Sequence, residues 1–399
     1  MLFKNKAILV IIFTVFIDLV GVGLIIPILP NYAKGELQLT ETVVGIIIGI
    51  FSLMQFVFGP ILGSWSDRVG RRPIILITST ITGISYLVFS QADTLALLLL
   101  ARALGGIGGA NIGVAQAYIS DVVEPANRAR AFAYIGAAFG LGFVIGPFLG
   151  GIVYEYLGFS WVGYVAAIIS FANVGLAYRL LTESVKEKSS RAGKSRNPFA
   201  DFIRIRKYPA VAGLMTITLI FMAAFAMMQS MSAIMWKEEY LLTEKQVGLM
   251  FAFIGAMAFI IQGGLIGWFQ KRISERLLLV YGNILVGIGL LGLSFVPVHH
   301  LFPFEFLFII CMSLGMAFFT PTMSNLLSKL VSEKEQGSVL SVNQSMSSLA
   351  RVIGPIIGGA LYHQFNYHTP FVTGGAIVAV LAVYSFFYLK GAEKEEPLN

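Results

Sequence analysis

The stretch Gly63-Ser64-Trp65-Ser66-Asp67-Arg68-Val69-Gly70-Arg71-Arg72 sets how the rest of this chain is read. It is a charged, glycine-punctuated turn set between two apolar runs, Val43 to Leu62 and Pro73 to Phe89. The hydrocarbon core of a bilayer is about 30 Å thick and takes roughly 20 apolar residues of helix to cross. Each run is long enough, so the turn is expected to be a tight hairpin at a membrane surface. Arg68, Arg71 and Arg72 put that surface on the cytoplasmic side, because lysine and arginine collect in inner loops.

Composition extends this reading to the whole chain. Of 399 residues, 57% are hydrophobic, only 12% are charged and 42 are glycine. The mean hydropathy is +0.80, and a soluble domain carries about 25% charged residues. The chain is therefore expected to be an all-α, multi-span membrane protein. A net charge of +7 is compatible with a nucleic-acid partner. The basic residues, however, sit in short loops between apolar runs, which is a topology signal, so no nucleic acid is expected. The single cysteine, Cys311, forms no intrachain disulfide, and no Cys/His cluster suggests a metal. No cofactor is expected, and ATP is not expected to bind, since the phosphate-cradling motif G-x-x-x-x-G-K-[ST] is absent. An enzyme would need paired carboxylates or a nucleophile with its base. The spans hold one mid-depth aspartate and no histidine, so the protein is not read as an enzyme. Lys4 and Lys6 ahead of an apolar stretch resemble a signal peptide, but Asp18 interrupts it and no small-residue cleavage site follows; an uncleaved first span is expected.

Apolar runs of spanning length fall at about 7–31, 43–63, 73–91, 95–119, 130–154 and 161–181, then at 209–235, 246–269, 277–297, 303–327, 337–361 and 369–390. This predicts an N-terminal six-helix bundle over 1–181, a cytoplasmic linker over 182–208 and a C-terminal six-helix bundle over 209–399. With the N-terminus inside, the outer loops hold only Lys34, Lys237 and Lys245, so both termini are expected in the cytoplasm. The linker carries Lys186, Lys188, Arg191, Lys194, Arg196, Arg204, Arg206 and Lys207 and is expected to be a solvated segment touching anionic lipid. Trp65, Trp161, Trp236 and Trp268 lie near span ends, where an indole prefers the interface.

The halves repeat. Gly267-Trp-Phe-Gln-Lys271-Arg272-Ile-Ser-Glu-Arg276 is a degenerate copy of the opening turn. Gly146-Pro147-Phe-Leu-Gly150-Gly151 in span five recurs as Gly354-Pro355-Ile-Ile-Gly358-Gly359 in span eleven. Such repeats point to two helical bundles around a central site, which is transporter architecture. Gly142, Gly146 and Gly150 line one helix face and let two helices approach closely; Pro147 frees a carbonyl and bends the helix.

Asp18 and Arg102 are the ionisable groups at depth. Asp18 lies about eleven residues into an inward-starting helix, roughly 16 Å up, and Arg102 about 10 Å down from the outer side, so the two depths agree within a turn of a core about 30 Å thick. An ionisable group there reads as functional, with a partner nearby. Desolvation favours the neutral acid and a nearby guanidinium favours the carboxylate. A change in their separation would load and unload a proton on Asp18. In the second half, Glu305 and Arg351 both fall in the outer half of the membrane and could pair. His299 and His300 lie in an outer loop and are expected to be solvated, and Asp93 and Glu155 to cap outer loops. A substrate cavity is expected from Phe13, Phe51, Gln55, Phe139, Phe225, Met228, Gln229, Phe253, Gln262, Asn343, Gln344 and Arg351, since methionine and aromatic surfaces adapt to apolar ligands.

The motifs carry a resemblance. Gly63, Asp67, Arg68, Gly70, Arg71 and Arg72 match the loop motif of the major facilitator superfamily. Leu98, Arg102, Gly106 and Gly108 match its span-four motif, with Gly105 in place of the usual glutamine. Gly142, Gly146, Pro147, Gly150 and Gly151 match the antiporter motif of span five. Asp18-Leu-Val-Gly21-Val-Gly23-Leu, followed by Pro27 and Pro30, resembles the first span of tetracycline exporters. The chain thus resembles, over almost its whole length, the twelve-span drug/proton antiporters of the tetracycline-efflux-like branch. The resemblance implies a monomeric exporter of hydrophobic or amphipathic small molecules, driven by protons through alternating access in a bacterial plasma membrane. It also implies that span five forms a seam between bundles. It further implies an inner latch, with Asp67 at the N-terminus of span eleven and Arg71 paired with Asp121. A proton-coupled or facilitated importer of a small metabolite is the alternative, against which the complete span-five motif argues. Ala258 and Asn283 stand where tetracycline exporters carry histidine and aspartate, so a broader hydrophobic, cationic substrate range is expected rather than tetracycline itself.

Overall fold

The computed structural model describes residues 6–184, 208–297 and 301–392. Most of the linker, with the basic residues named above, and His299 and His300 lie outside the described residues. Among the described residues the regular structure is helical, with no strand. The first half runs α1 (Lys6–Ile25), α2 (Ile28–Gly35), α3 (Glu41–Val69), α4 (Arg71–Ser90), α5 (Leu95–Gly109), α6 (Ile112–Val122), α7 (Pro125–Leu157) and α8 (Phe159–Leu180). The second runs α9 (Pro209–Glu238), α10 (Glu244–Ile260), a π segment (Ile261–Leu265), α11 (Ile266–Gln270), α12 (Glu275–Leu293), α13 (Leu301–Lys329), α14 (Glu333–Gln364) and α15 (His368–Ala392).

Ten helical segments are long and apolar enough to cross a membrane, among the described residues. The other two expected spans fall on α10 through α11 and on α14. The π segment interrupts the first of these. In α14, Asn343, Gln344, Arg351 and the serines around them dilute the apolar character.

The chain divides into two compact units. One comprises Met1–Leu39, Ile50–Arg196 and Leu241–Ala256; the other comprises Thr40–Gly49, Asn197–Tyr240 and Met257–Asn399. In the first, α1 packs on α7 and α8, and α4 on α5 and α8. In the second, α9 packs on α14 and α15, and α12 on α13 and α15. The pairings correspond helix for helix, so the sequence repeat is a repeat of packing.

Small residues make the approaches close. A methyl at Gly146 would stand 2.7 Å from the Gly23 Cα and the Val20 carbonyl oxygen of α1. A methyl at Gly354 would stand 2.6 Å from the Ala223 carbonyl oxygen of α9. Without a hydrophobic drive between helices in lipid, such backbone proximity supplies the dispersion contact that holds them together. Gly151 sits against Glu244 and Lys245 at the start of α10, and Gly359 against Glu41 and Thr42 at the start of α3. Both of those helices follow the same turn, Leu-Thr-Glu, at 39–41 and 242–244. Each turn is preceded by a residue at positive φ, Gln38 and Leu241, both at 54°.

The surface inverts the soluble pattern. Large apolar side chains such as Ile61, Ile168, Val380 and Phe387 are exposed. Such residues face hydrocarbon at no cost, while helices satisfy their own backbone groups.

Candidate functional site

The turn at residues 63–72 is built from the end of α3, the start of α4 and the segment after α8. Gly70 adopts φ of +117°, and a side chain there would collide with the Glu183 carboxylate. That carboxylate accepts from the Arg71 N–H at 2.9 Å and from the Arg72 N–H at 3.3 Å. Glu183 thereby caps the first turn of α4, whose N–H groups have no partner within the helix. The Arg71 side chain is drawn in. Its Nη1 lies 2.6 Å from Asp67 Oδ1 and donates to Ser66 Oγ at 2.6 Å, and its Nε donates to Asp121 Oδ2 at 3.1 Å. Ser184 Oγ–H donates to the same Asp121 oxygen at 3.0 Å. Arg72 Nη2 donates to the Tyr178 carbonyl at 2.6 Å, and Arg68 is exposed. Of these contacts, the motif implies Arg71 with Asp121. It gives no hint of Glu183, whose place depends on chain geometry beyond the motif.

Asp18 lies in α1, 8% exposed. Its Oδ2 accepts from the Asn111 side-chain amide at 2.6 Å, and the Asn173 amide of α8 faces the same carboxyl. Asn173 Nδ2 donates to the Thr14 carbonyl at 3.4 Å. The other carboxyl oxygen, Oδ1, has no hydrogen-bond partner among the described residues. Arg102, also buried, does not reach Asp18. Its guanidinium lies 4.1 Å from the centroid of the Phe51 ring, where a cation gains from the ring quadrupole. The Tyr86 hydroxyl of α4 interacts electrostatically with both Asp18 and Arg102. The polar neighbours of Asp18 are thus amides and a phenol, and matched depth alone does not reveal them. Polar side chains inside apolar spans were the available signal.

In the second unit Glu305 is fully buried and accepts a hydrogen bond from the Trp236 indole N–H. Arg351 donates to Ser348 Oγ at 3.2 Å. The considered Glu305–Arg351 pair is therefore not formed; Glu305 faces α9 instead.

The residues named for a cavity have different surroundings. Gln55 donates to the Gly109 carbonyl at 3.1 Å, and Phe51 lies beneath Arg102. Phe139 packs against the core of its unit, and Phe13 is 44% exposed. Met228 is buried, with Ser232 Oγ–H donating to its sulphur at 3.1 Å. Phe225, Gln229, Phe253 and Asn343 are half-buried, and Gln262 and Gln344 exposed. Asn283 is buried and donates to Ser385 Oγ at 3.4 Å.

Two repeated helical units with apolar exteriors and charged turns between their helices define a multi-span membrane transporter. Residues 11–279 and 229–399 match the model of the Major Facilitator Superfamily, and the chain belongs to that superfamily, a family of transporters and not of enzymes. It is 30% identical to the class C tetracycline resistance protein of Escherichia coli over 364 residues, 90% of each chain. It is 30% identical to multidrug resistance protein 1 of Bacillus subtilis (strain 168) over 376 residues, 93% of each chain. In fold it is similar to a bacterial homologue of the human lysosomal transporter Spinster, with a TM-score of 0.81 at 15% identity, over 99% of both chains.

Proposed function

We propose that the protein exports hydrophobic or amphipathic small molecules in exchange for protons, by alternating access. The observation that carries this reading is the buried Asp18 carboxyl, which has one oxygen without a partner and no ion pair among the described residues. A carboxyl in that setting, with Tyr86 between it and the buried Arg102, is an expensive feature to keep in a membrane unless its proton is used. Similarity to proteins named for tetracycline and multidrug resistance supports the export direction. Ala258 and Asn283, standing where tetracycline exporters carry histidine and aspartate, support a substrate range broader than tetracycline. The half-buried aromatic and polar residues Phe51, Gln55, Phe225, Gln229, Phe253, Asn343 and Arg351 are the substrate contacts of this reading. The inner turn is its latch, and the span-five motif of Gly142, Gly146, Pro147, Gly150 and Gly151 its moving element.

The protein works as a monomer in the bacterial inner membrane with both termini in the cytoplasm, its basic loops meeting anionic lipid. Each proton moving inward releases about 2.3 kcal/mol per 100 mV, enough to drive export without ATP. Everted membrane vesicles test the reading. With an acidified interior they should accumulate a lipophilic cationic dye and lose it on addition of a protonophore. Accumulation that ignores the protonophore would contradict proton coupling.

A further inference from the structure

Span four is not one helix. Between α5 and α6 the backbone ladder is interrupted, with Ala110 N–H bonding Ile107 at 3.3 Å and Asn111 N–H bonding Gly108 at 3.2 Å in place of regular i to i−4 bonds. A tightened turn inside a span marks a place where the helix can flex. Asn111, the residue that holds Asp18, sits in that break. Immediately after it, a methyl on Gly113 would meet nothing within 4 Å, so the start of α6 has room on that side. At the far end of the same helix, Asp121 accepts from Arg71 at 3.1 Å and Ser184 at 3.0 Å. Arg128 closes that end by donating to the carbonyls of Ser120 at 2.8 Å and Val123 at 3.2 Å.

We propose that α6 is a rod that carries the protonation state of Asp18 to the inner turn, with Asn111 as the positioning residue that senses it. This rests on the reading of Asp18 as the proton site. An amide N–H bonds a carboxylate about twice as strongly as a neutral acid. When a proton from water settles on Asp18, the Asn111 bond loses that assistance and the break is released. α6 then moves as one piece, and Asp121 moves with it against Arg71. The other groups facing Asp18 are Tyr86 from α4, with Arg102 of α5 beyond it, and Asn173 from α8. α7 presents its glycine face, Gly142 and Gly146, to α1.

The test measures dye transport against internal pH in everted vesicles for the wild type, Asn111→Ala, Asp121→Asn and the double variant. Positions 111 and 121 are about 15 Å apart along the helix, a separation at which unlinked substitutions act independently. A rigid α6 predicts that the double variant is no worse than the poorer single one. Linkage is reciprocal, so Asp121→Asn should also reach half-maximal transport at about fivefold lower proton concentration. Should Asn111→Ala fail to reach the membrane, that shift in Asp121→Asn decides alone. Losses that multiply in the double variant, or an unshifted pH profile in Asp121→Asn, overturn the inference. Asp18→Asn separates the two readings. Full gradient-driven transport in it removes the proton site, whereas an inactive Asp18→Asn with an unshifted Asp121→Asn removes only the rod.

Discussion

The two halves of this protein share a packing scheme but not a chemistry. Gly146 and Gly354 bring α7 and α14 against α1 and α9 in the same way, and the Leu-Thr-Glu turns begin α3 and α10 alike. The polar groups diverge. In the first half Asp18 is held by an amide at a helix break, and Arg71 binds Asp67, Ser66 and Asp121 in one cluster. In the second half Glu305 is held by an indole carried on a long continuous helix. In the corresponding turn of that half Arg272 lies over Trp268 and Arg276 over Phe386. Duplication keeps what holds helices together and leaves the polar groups free to change.

Substitutions in matched positions of the two halves probe this divergence. The largest effect is expected from Asp18→Asn, which should lower gradient-driven export by about 100-fold, as loss of an essential proton carrier does. Substrate binding, followed by thermal shift, should persist. Next come the glycines. Gly146→Ala and Gly354→Ala should each destabilise by about 1–3 kcal/mol, the usual range for overpacking. Similar losses of melting temperature are expected in both, since the packing is repeated; a tolerated Gly354→Ala would show that the repeat is only topological. A smaller effect is expected at the two charged turns. Arg71→Ala should cost about tenfold in transport, the worth of one or two charge-assisted bonds, whereas Arg272→Ala should stay within about twofold, as exposed cation–π contacts are weak. The smallest is Glu305→Gln. Its amide oxygen can still accept from Trp236, so transport should stay within about twofold. A large loss there would give the second half a proton site of its own.

Much of this was legible in the sequence, and the reasons differ by feature. The spans follow from hydropathy because lipid demands about 20 apolar residues whatever the tertiary contacts. The breaks did not follow. Pro27 lies just beyond α1, and Ala110 and Asn111 lie in a glycine-rich run that suits close packing as well as it suits a kink. Asp18 stood out as a lone carboxyl in an apolar run. Its arginine was located by depth, but depth does not fix the direction a side chain takes around its helix, and Arg102 turns to Phe51. Glu183 lies past the sixth span, where no spacing rule links it to Gly70, although the bare glycine leaves the space it occupies.

Exchange of a proton at Asp18 as the substrate moves underlies both proposals. Purified protein in weakly buffered detergent solution, titrated with a lipophilic cation, tests it by the change in bulk pH. Proton release is expected from the wild type and none from Asp18→Asn at equal substrate occupancy. Equal release from both proteins would contradict it.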